Sequence, residues 1–222
     1  MIIPAVIPKS LDDIAVTTRR VETFTKEIQI DVVDGVFVEN ISWPYGFREG
    51  KGVATDIRVF TDAFAVEVDL MINDPLHELP QWLDAGVKRA VIHIESCKNL
   101  SEDITRAAML CHEREVLLGV SAGNDTSLDA LIAILPHADY VQCMGIAHIG
   151  VQGEPFDMRV LERIRAIREH FPLLEISVDG SVNKETIVAL KDVGVSRFIC
   201  GSAILGAEDP AAAYKTLSDL VS

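Results

Sequence analysis

The chain has 222 residues, of which 49% are apolar and 24% charged, and its formal net charge at pH 7 is −14. This composition predicts a folded domain with a large core and excludes a disordered or fibrous protein. The negative charge argues against nucleic acid or an anionic membrane as a partner, because both would repel the protein. A phosphorylated ligand would therefore need a local site of backbone N–H groups and helix N-termini.

The four cysteines and the N-terminal segment indicate the cellular compartment of the protein. The cysteines lack C-x-x-C spacing and lie in or beside apolar runs, which is typical of reduced thiols in a cytosolic protein. Met1–Ile7 is apolar but short and contains Pro4, so it predicts a strand rather than a signal peptide. No apolar stretch approaches the roughly 18 residues of a membrane span. We therefore expect a cytoplasmic protein.

Short β-branched runs alternate with longer amphipathic segments along the whole chain. The short runs are nearly continuous in apolar character, as expected for parallel strands that are covered on both faces. The eight predicted strands are Ile2–Ile7, Glu27–Val32, Ala65–Met71, Arg89–Ile94, Glu115–Ser121, Tyr140–Met144, Leu174–Val178 and Arg197–Cys200.

Helix signals fill most of the intervals between these strands. Ser10, with Asp13 three residues later, predicts a capping box at the start of the first helix. Pro75 opens another helix at the favoured first position, and Gly86 closes it. The remaining predicted helices are Asn99–Arg114, Thr126–Leu135, Asp157–His170, Asn183–Val193 and Asp209–Val221. The connection from Asp34 to Asp62 is the least regular one.

Eight strands and eight connections in strict alternation imply parallel pairing with right-handed crossovers. An open doubly wound sheet would need a glycine-rich fingerprint after the first strand, where Pro8-Lys9-Ser10 stands instead. We therefore predict an α/β fold, a (β/α)8 TIM barrel, formed by residues 1–222 as a single domain.

Acidic residues cluster at strand ends, where barrels of this kind carry their functional groups. Alternation along a strand puts Gln29 and Asp31 on one face of strand two, and Glu67 and Asp69 on one face of strand three. Asp179 ends strand seven. If these faces point inward, the carboxylates converge, and either a divalent metal or protonation of one acid must compensate.

Other aspartates at strand ends have a simpler interpretation. Such a residue often caps a helix or accepts hydrogen bonds within a loop, and Asp34 and Asp74 fit that role.

Two Gly-Ser pairs follow strands seven and eight, the usual place of a phosphate site in a barrel. Their backbone N–H groups can hold an anion without net positive charge. The candidate phosphate ligands are Gly180, Ser181, Gly201 and Ser202. The loop Gly145–Phe156, with Gly150 and Gly153, follows strand six and is either a lid that closes over ligand or a long flexible turn.

At these residues the sequence resembles the ribulose-phosphate 3-epimerase family, and the resemblance covers nearly the whole chain. Ile30–Ile41 is similar to the family's signature D-V-M-D-G-x-F-V-P-N-I. Further similar segments are Leu70–Ile72 followed by Pro75, His93–Glu95, Met144–Phe156, Val178–Gly180 and Gly201–Ile204.

The resemblance implies epimerisation at C3 of a ketopentose phosphate, interconverting ribulose 5-phosphate and xylulose 5-phosphate or a related pair. In the family one aspartate removes the C3 proton, a metal steadies the cis-enediolate, and a second aspartate reprotonates the opposite face. These aspartates correspond to Asp31 and Asp179, which in the family also bind the metal.

The family's other two metal ligands are histidines, and this chain has Gln29 and Asp69 in their places. Oxygen ligands favour Mg²⁺ or Mn²⁺ over Zn²⁺, and a protein without metal is the alternative. The remaining departures are Ala5, Val33 and Ala147-His148. Met71 and Met144 would wall the sugar phosphate or simply fill the core, and His93 would contact substrate or be a core histidine.

Two other functions stay open at this point. One is a phosphosugar-binding protein without turnover, reached by loss of the histidine ligands. The other is a Mg²⁺-dependent lyase, because Asp69–Asp74 is similar to the D-x-K-x-x-D motif of the orotidine-phosphate decarboxylase and hexulose-phosphate synthase group, with Met71 in place of its lysine. We also expect a homodimer, in which Trp43-Pro44-Tyr45 forms the contact or else covers the barrel.

Overall fold

The structure, a computed structural model, describes residues 1–46, 53–150 and 153–222. Eight parallel strands close into a barrel in chain order, and the last strand pairs with the first. The strands are β1 Ile2–Val6, β2 Glu27–Val33, β3 Ala65–Met71, β4 Arg89–His93, β5 Leu117–Ala122, β6 Tyr140–Met144, β7 Glu175–Asp179 and β8 Arg197–Cys200. The predicted TIM barrel is confirmed.

Helices pack around the outside of the barrel. They are α1 Leu11–Val21, α2 Arg58–Thr61, α3 Pro75–Asp84, α4 Leu100–His112, α5 Leu128–Ile134, α6 Arg159–His170, α7 Ile187–Asp192, α8 Ser202–Leu205 and α9 Pro210–Val221. Short 3₁₀ helices cover Ala54–Ile57, Ile94–Ser96 and Leu135–His137. In the described ranges, no helix combines the length and the apolar character that a membrane crossing needs.

Local chemistry explains where several elements begin. The predicted capping box is present, since Ser10 Oγ accepts from the Asp13 backbone N–H and the Asp13 carboxylate accepts from the Ser10 N–H, both at 3.2 Å. The predicted start of β5 at residue 115 is wrong, because Glu115 adopts a φ of 56°, in the left-handed region that cannot continue a strand. The predicted start of α7 at Asn183 is also too early. The Asn183 side chain accepts from the N–H groups of Glu185 and Thr186, which makes a turn there instead.

Asp34 and Asp74 lie in βα loops, but their side chains differ in role. Asp34 Oδ1 accepts from the backbone N–H groups of Val36 and Phe37, which confirms its prediction as a loop hydrogen-bonder. Asp74 occupies the N-cap position of α3, but its side chain makes no capping bond there and pairs with Lys98 at 2.5 Å. Its left-handed φ of 57° turns the side chain away from the helix end.

The main apolar core lies between the strands and the surrounding helices, whereas the barrel interior is largely polar. A separate, small apolar cluster on β1 and β8 consists of Ile3, Ala5 and Ile199. Fully buried polar side chains on the strands are Gln29, Glu67, Asp69, His93, Ser121, Gln142 and Ser177. Near the N-terminal ends of the strands, Arg197 bonds Glu67 at 2.7 Å and Glu27 at 2.9 Å, which balances part of the buried charge.

The connection after β2 contributes Trp43 to the main apolar core. The Trp43 ring is buried and packs edge-on against Trp82 of α3, with ring centroids 6.0 Å apart. Trp43 therefore packs within this chain, and the homodimer stays a prediction. Residues 47–52 of this connection lie outside the described residues.

Candidate active site

Three carboxylates meet at the C-terminal end of the barrel. Asp31 and Asp69 stand side by side in the β2–β3 register, and Asp179 is the last residue of β7. One carboxylate oxygen from each aspartate lies within 4.8 Å of the others. The predicted inward orientation of these residues is therefore confirmed. The closed barrel brings together positions 31, 69 and 179, which are far apart in the sequence.

Gln29 joins two of these aspartates. Its Nε2 donates to Asp31 Oδ1 at 2.9 Å and to Asp179 Oδ2 at 3.3 Å. Both carboxylates thus lie within hydrogen-bonding reach of one nitrogen atom. The predicted role of Gln29 as a metal ligand would require its Oε1 instead, so the amide would have to turn over.

Asp69 is held from two other strands. His93 Nε2 on β4 lies 3.0 Å from Asp69 Oδ1, and Gln142 Nε2 on β6 donates to Asp69 Oδ2 at 2.7 Å. All three side chains are fully buried. His93 therefore contacts an acid of the cluster as a fully buried side chain, which fits the core histidine left open by the sequence, and a contact with substrate stays a prediction.

Burial and mutual repulsion change the proton affinity of the cluster. Burial, followed by the charges of Asp179 and Asp69, raises the pKa of Asp31 well above its usual value. Burial and the charge of Asp69 raise the pKa of Asp179 to about 7. Burial alone would lower the pKa of His93, but the charge and hydrogen bond of Asp69 raise it overall. At neutral pH the cluster therefore favours states in which a proton is retained.

A cavity of about 340 Å³ opens beside Asp31 and Asp179. This volume suits a small ligand. The residues predicted from the sequence to contact substrate or phosphate that line it are Met71, Met144, Gly150, Gly153, Gly180, Ser181, Gly201 and Ser202. These positions therefore lie together at one cavity, and their contact with substrate or phosphate stays a prediction. The lid interpretation of Gly145–Phe156 is only partly described, because Val151 and Gln152 lie outside the described residues.

The Gly-Ser loop after β7 is shaped by close contacts with the loop after β6. Gly180 has a φ of 100°, and a Cβ there would lie 2.7 Å from the Ile146 side chain, so glycine is required. Ser181 also has a positive φ, of 52°, and its hydroxyl donates to the Glu154 carbonyl. Contacts with the loop after β6 therefore hold the loop after β7 in a conformation that non-glycine residues rarely adopt.

Sequence reasoning missed several residues at the site. Gln142 shares the inward phase of β6 with Met144, so alternation along the strand could have revealed it. The residues that line the cavity outside the predicted set are Ala5, Ile7, Ile146, Glu154, Val182, Asn183, Ile199 and Ala203. Most of these are apolar or lie in loops, where the sequence carries no local signal for a binding site.

The donor set fits a divalent cation. Buried carboxylates this close repel one another, and their oxygen atoms are the hard ligands that Mg²⁺ and Mn²⁺ prefer. Asp31, Asp69 and Asp179 are the residues that could hold such an ion.

The sequence model of the ribulose-phosphate 3 epimerase family matches residues 2–205. The chain belongs to this family. Its relatives include the ribulose-phosphate 3-epimerase of Mycobacterium tuberculosis, 32% identical over 197 residues that cover 86% of this chain and 80% of the relative. The ribulose-phosphate 3-epimerase of Aquifex aeolicus is 30% identical over 198 residues, which cover 87% and 84%. The protein is therefore a member of a family of isomerases.

Solved structures support the fold. A crystal structure of 3-hexulose-6-phosphate synthase superposes with a TM-score of 0.75, covering 100% of both chains at 21% sequence identity. At this identity the likeness shows a shared barrel and nothing about the reaction.

Proposed function

We propose that this protein is a sugar-phosphate epimerase that inverts C3 of ribulose 5-phosphate or a related ketose phosphate. One observation carries the proposal: Asp31 and Asp179 are bridged by the Gln29 amide and line the same cavity. Proton transfer on opposite faces of a carbon requires two acid–base groups on different sides of the substrate. Two carboxylates that line one cavity from different strands meet this requirement.

The chemistry needs one acid and one base. The ionised aspartate removes the C3 proton, and the electrons of the C–H bond move towards the C2 carbonyl to form an enediolate. The protonated aspartate then donates its proton to the other face of C3. A pKa of about 7 for Asp179 suits both roles near neutral pH, because neither protonation state is costly there.

Asp31, Asp69 and Asp179 would hold the divalent metal, Mg²⁺ or Mn²⁺ in preference to Zn²⁺. Bound there, the cation supplies Lewis-acid stabilisation of negative charge on the substrate oxygens. The side chains that would contact the sugar are Met71 and Met144, both of which line the cavity.

The phosphate would lie in the same cavity, at Gly180, Ser181, Gly201 and Ser202. These residues line the cavity from the loops after β7 and β8. Backbone N–H groups in these loops are a common phosphate site in such barrels and suit a protein whose net charge is −14.

Solvent deuterium exchange tests the proposal directly. The protein is stripped of metal and incubated with ribulose 5-phosphate in D₂O, with Mg²⁺, Mn²⁺ or Zn²⁺ added separately. We expect one deuterium to enter C3 and xylulose 5-phosphate to accumulate, with Mg²⁺ or Mn²⁺ more effective than Zn²⁺. NMR at C3 and mass spectrometry follow the label.

Binding of ribulose 5-phosphate without label at C3, under any of these ions, would instead support a phosphosugar-binding protein without turnover. Heat-denatured protein with the same ions is the control for non-enzymatic exchange.

A further inference from the structure

Gln142 spans the barrel interior. It lies on β6 and donates to Asp69 on β3, and these two strands are separated by β4 and β5 in the closed sheet. The Nε2–Oδ2 distance is 2.7 Å, and both side chains are fully buried. The bond therefore joins two strands that are not neighbours in the sheet.

Burying the Gln142 amide at this position costs free energy. Among the described residues the Gln142 Oε1 has no hydrogen-bond partner. The hydrogen bond from Nε2 to Asp69 is therefore what offsets the cost of burying the amide. An apolar side chain of similar length would fill the same volume without leaving a buried oxygen unsatisfied. The position therefore favours a residue that serves Asp69 rather than one that only packs.

His93 completes the arrangement around Asp69. Its Nε2 lies 3.0 Å from Oδ1, whereas Gln142 engages Oδ2, so each carboxylate oxygen is tied to a different strand. Two anchors on two oxygens define the plane of the carboxylate. Each oxygen keeps a second lone pair, which leaves Asp69 able to bind a cation in a fixed orientation.

We infer that Gln142 and His93 are positioning residues that orient Asp69 as a ligand for a divalent cation shared with Asp31 and Asp179. The inference rests on the metal site in the proposed function. Partners that orient ligands from behind in this way contribute substantially to metal affinity, because an unrestrained carboxylate loses its preferred direction. Asp69 would then act as a ligand despite the absence of the family's histidine.

Mn²⁺ affinity of the metal-stripped protein, measured by electron paramagnetic resonance, tests this inference without relying on activity. Gln142→Met keeps the side-chain length and removes the donor, and we expect its Kd for Mn²⁺ to rise about 10- to 100-fold. Ser177→Ala is the matched control, because Ser177 is equally buried in the interior but donates to the Val141 carbonyl. Its affinity should stay at the level of the unsubstituted protein.

A second pair of variants tests the same idea at His93. His93→Leu removes the donor and should weaken Mn²⁺ binding by a similar factor, about 10- to 100-fold. His93→Gln retains a donor at the end of a side chain of similar reach and should restore most of the affinity. Thermal melts followed by circular dichroism identify folded variants. Gln142→Asn, which keeps the amide but is too short to reach Asp69, replaces Gln142→Met if the latter is unfolded.

The outcomes separate this inference from the proposed function. Equal Mn²⁺ affinity in Gln142→Met and the unsubstituted protein would overturn the positioning role, as would the absence of Mn²⁺ binding in the unsubstituted protein. The first result does not bear on deuterium exchange at C3, whereas the second would also remove the metal from the proposed function, and exchange in the metal-free protein would then test the epimerase by itself. Weakened binding in Gln142→Met and His93→Leu supports the positioning role even if the unsubstituted protein exchanges no deuterium, in which case only the proposed epimerase function fails.

Discussion

Asp31 and Asp179 show how neighbouring groups set the properties of single residues. Each is an ordinary aspartate in sequence, yet burial and nearby carboxylates raise the pKa of both. Gln29 donates to both of them. The predicted acid–base pair can be tested by replacing one carboxylate at a time.

Asp31→Asn and Asp179→Asn should each lower kcat for ribulose 5-phosphate by about 10²- to 10⁴-fold, because an amide cannot exchange protons with C3. KM should change far less, since the phosphate contacts remain. Initial rates over a range of substrate concentrations provide both constants.

Asp192→Asn is the control for these variants, because Asp192 is exposed at the C-terminal end of α7. Activity close to that of the unsubstituted protein in either site variant would exclude that aspartate from proton transfer.

The ends of β6 and β7 are the elements that shape the cavity. The Gly145 N–H donates to the Asp179 carbonyl at 2.6 Å, so the segments that follow β6 and β7 leave the barrel side by side. A Cβ at position 145 would lie 2.1 Å from the Gly180 carbonyl oxygen, far closer than any real contact. The packing of these two strand ends therefore requires glycine, which has no side chain, at position 145.

Gly145→Ala should force the ends of β6 and β7 apart. We expect the free energy of unfolding to fall by about 1–3 kcal/mol, the usual cost of overpacking, and the affinity for a phosphorylated sugar to fall with it. Urea denaturation and isothermal titration measure the two effects.

Gly123→Ala, just after β5, is the matched control, because its new Cβ would meet only ordinary contacts, at 3.5 Å and 3.6 Å. Equal stabilities of Gly145→Ala and Gly123→Ala would contradict this account of the strand ends.

For the whole molecule, the acidic cluster links stability to pH. Burial raises the pKa of Asp179 from its usual 3.8 to about 7 in the folded protein, so the folded state binds more protons between these values. The sign follows from linkage: the contribution to stability is present below pH 4 and is lost as the pH rises towards 7. Asp31 acts in the same direction.

We expect the free energy of unfolding of the metal-free protein to decrease relative to that of Asp179→Asn as the pH rises from 4.5 to 7.5. The difference should reach a slope of up to about 1.4 kcal/mol per pH unit for each proton. Urea denaturation with a chelator present measures it, and added Mn²⁺ should reduce the slope. Parallel stability curves for the two proteins would contradict the prediction.

Alternating apolar segments were enough to predict the eight strands, the closed barrel and the strand ends that carry Asp31 and Asp179, because these features follow from local periodicity and chain order. The Gly-Ser loops were predictable for the same reason, since their place after β7 and β8 is a property of the fold.

Only the tertiary structure decided which interior side chains meet. The contacts of Gln142 with Asp69 and of Gln29 with Asp179 join strands that are not neighbours in the barrel. The contact of His93 with Asp69 joins the adjacent strands β4 and β3. Such contacts depend on barrel closure and strand stagger, which place residues of different strands at the same height. Alternation reveals that a side chain points inward, but it contains no information about the partner on the opposite wall.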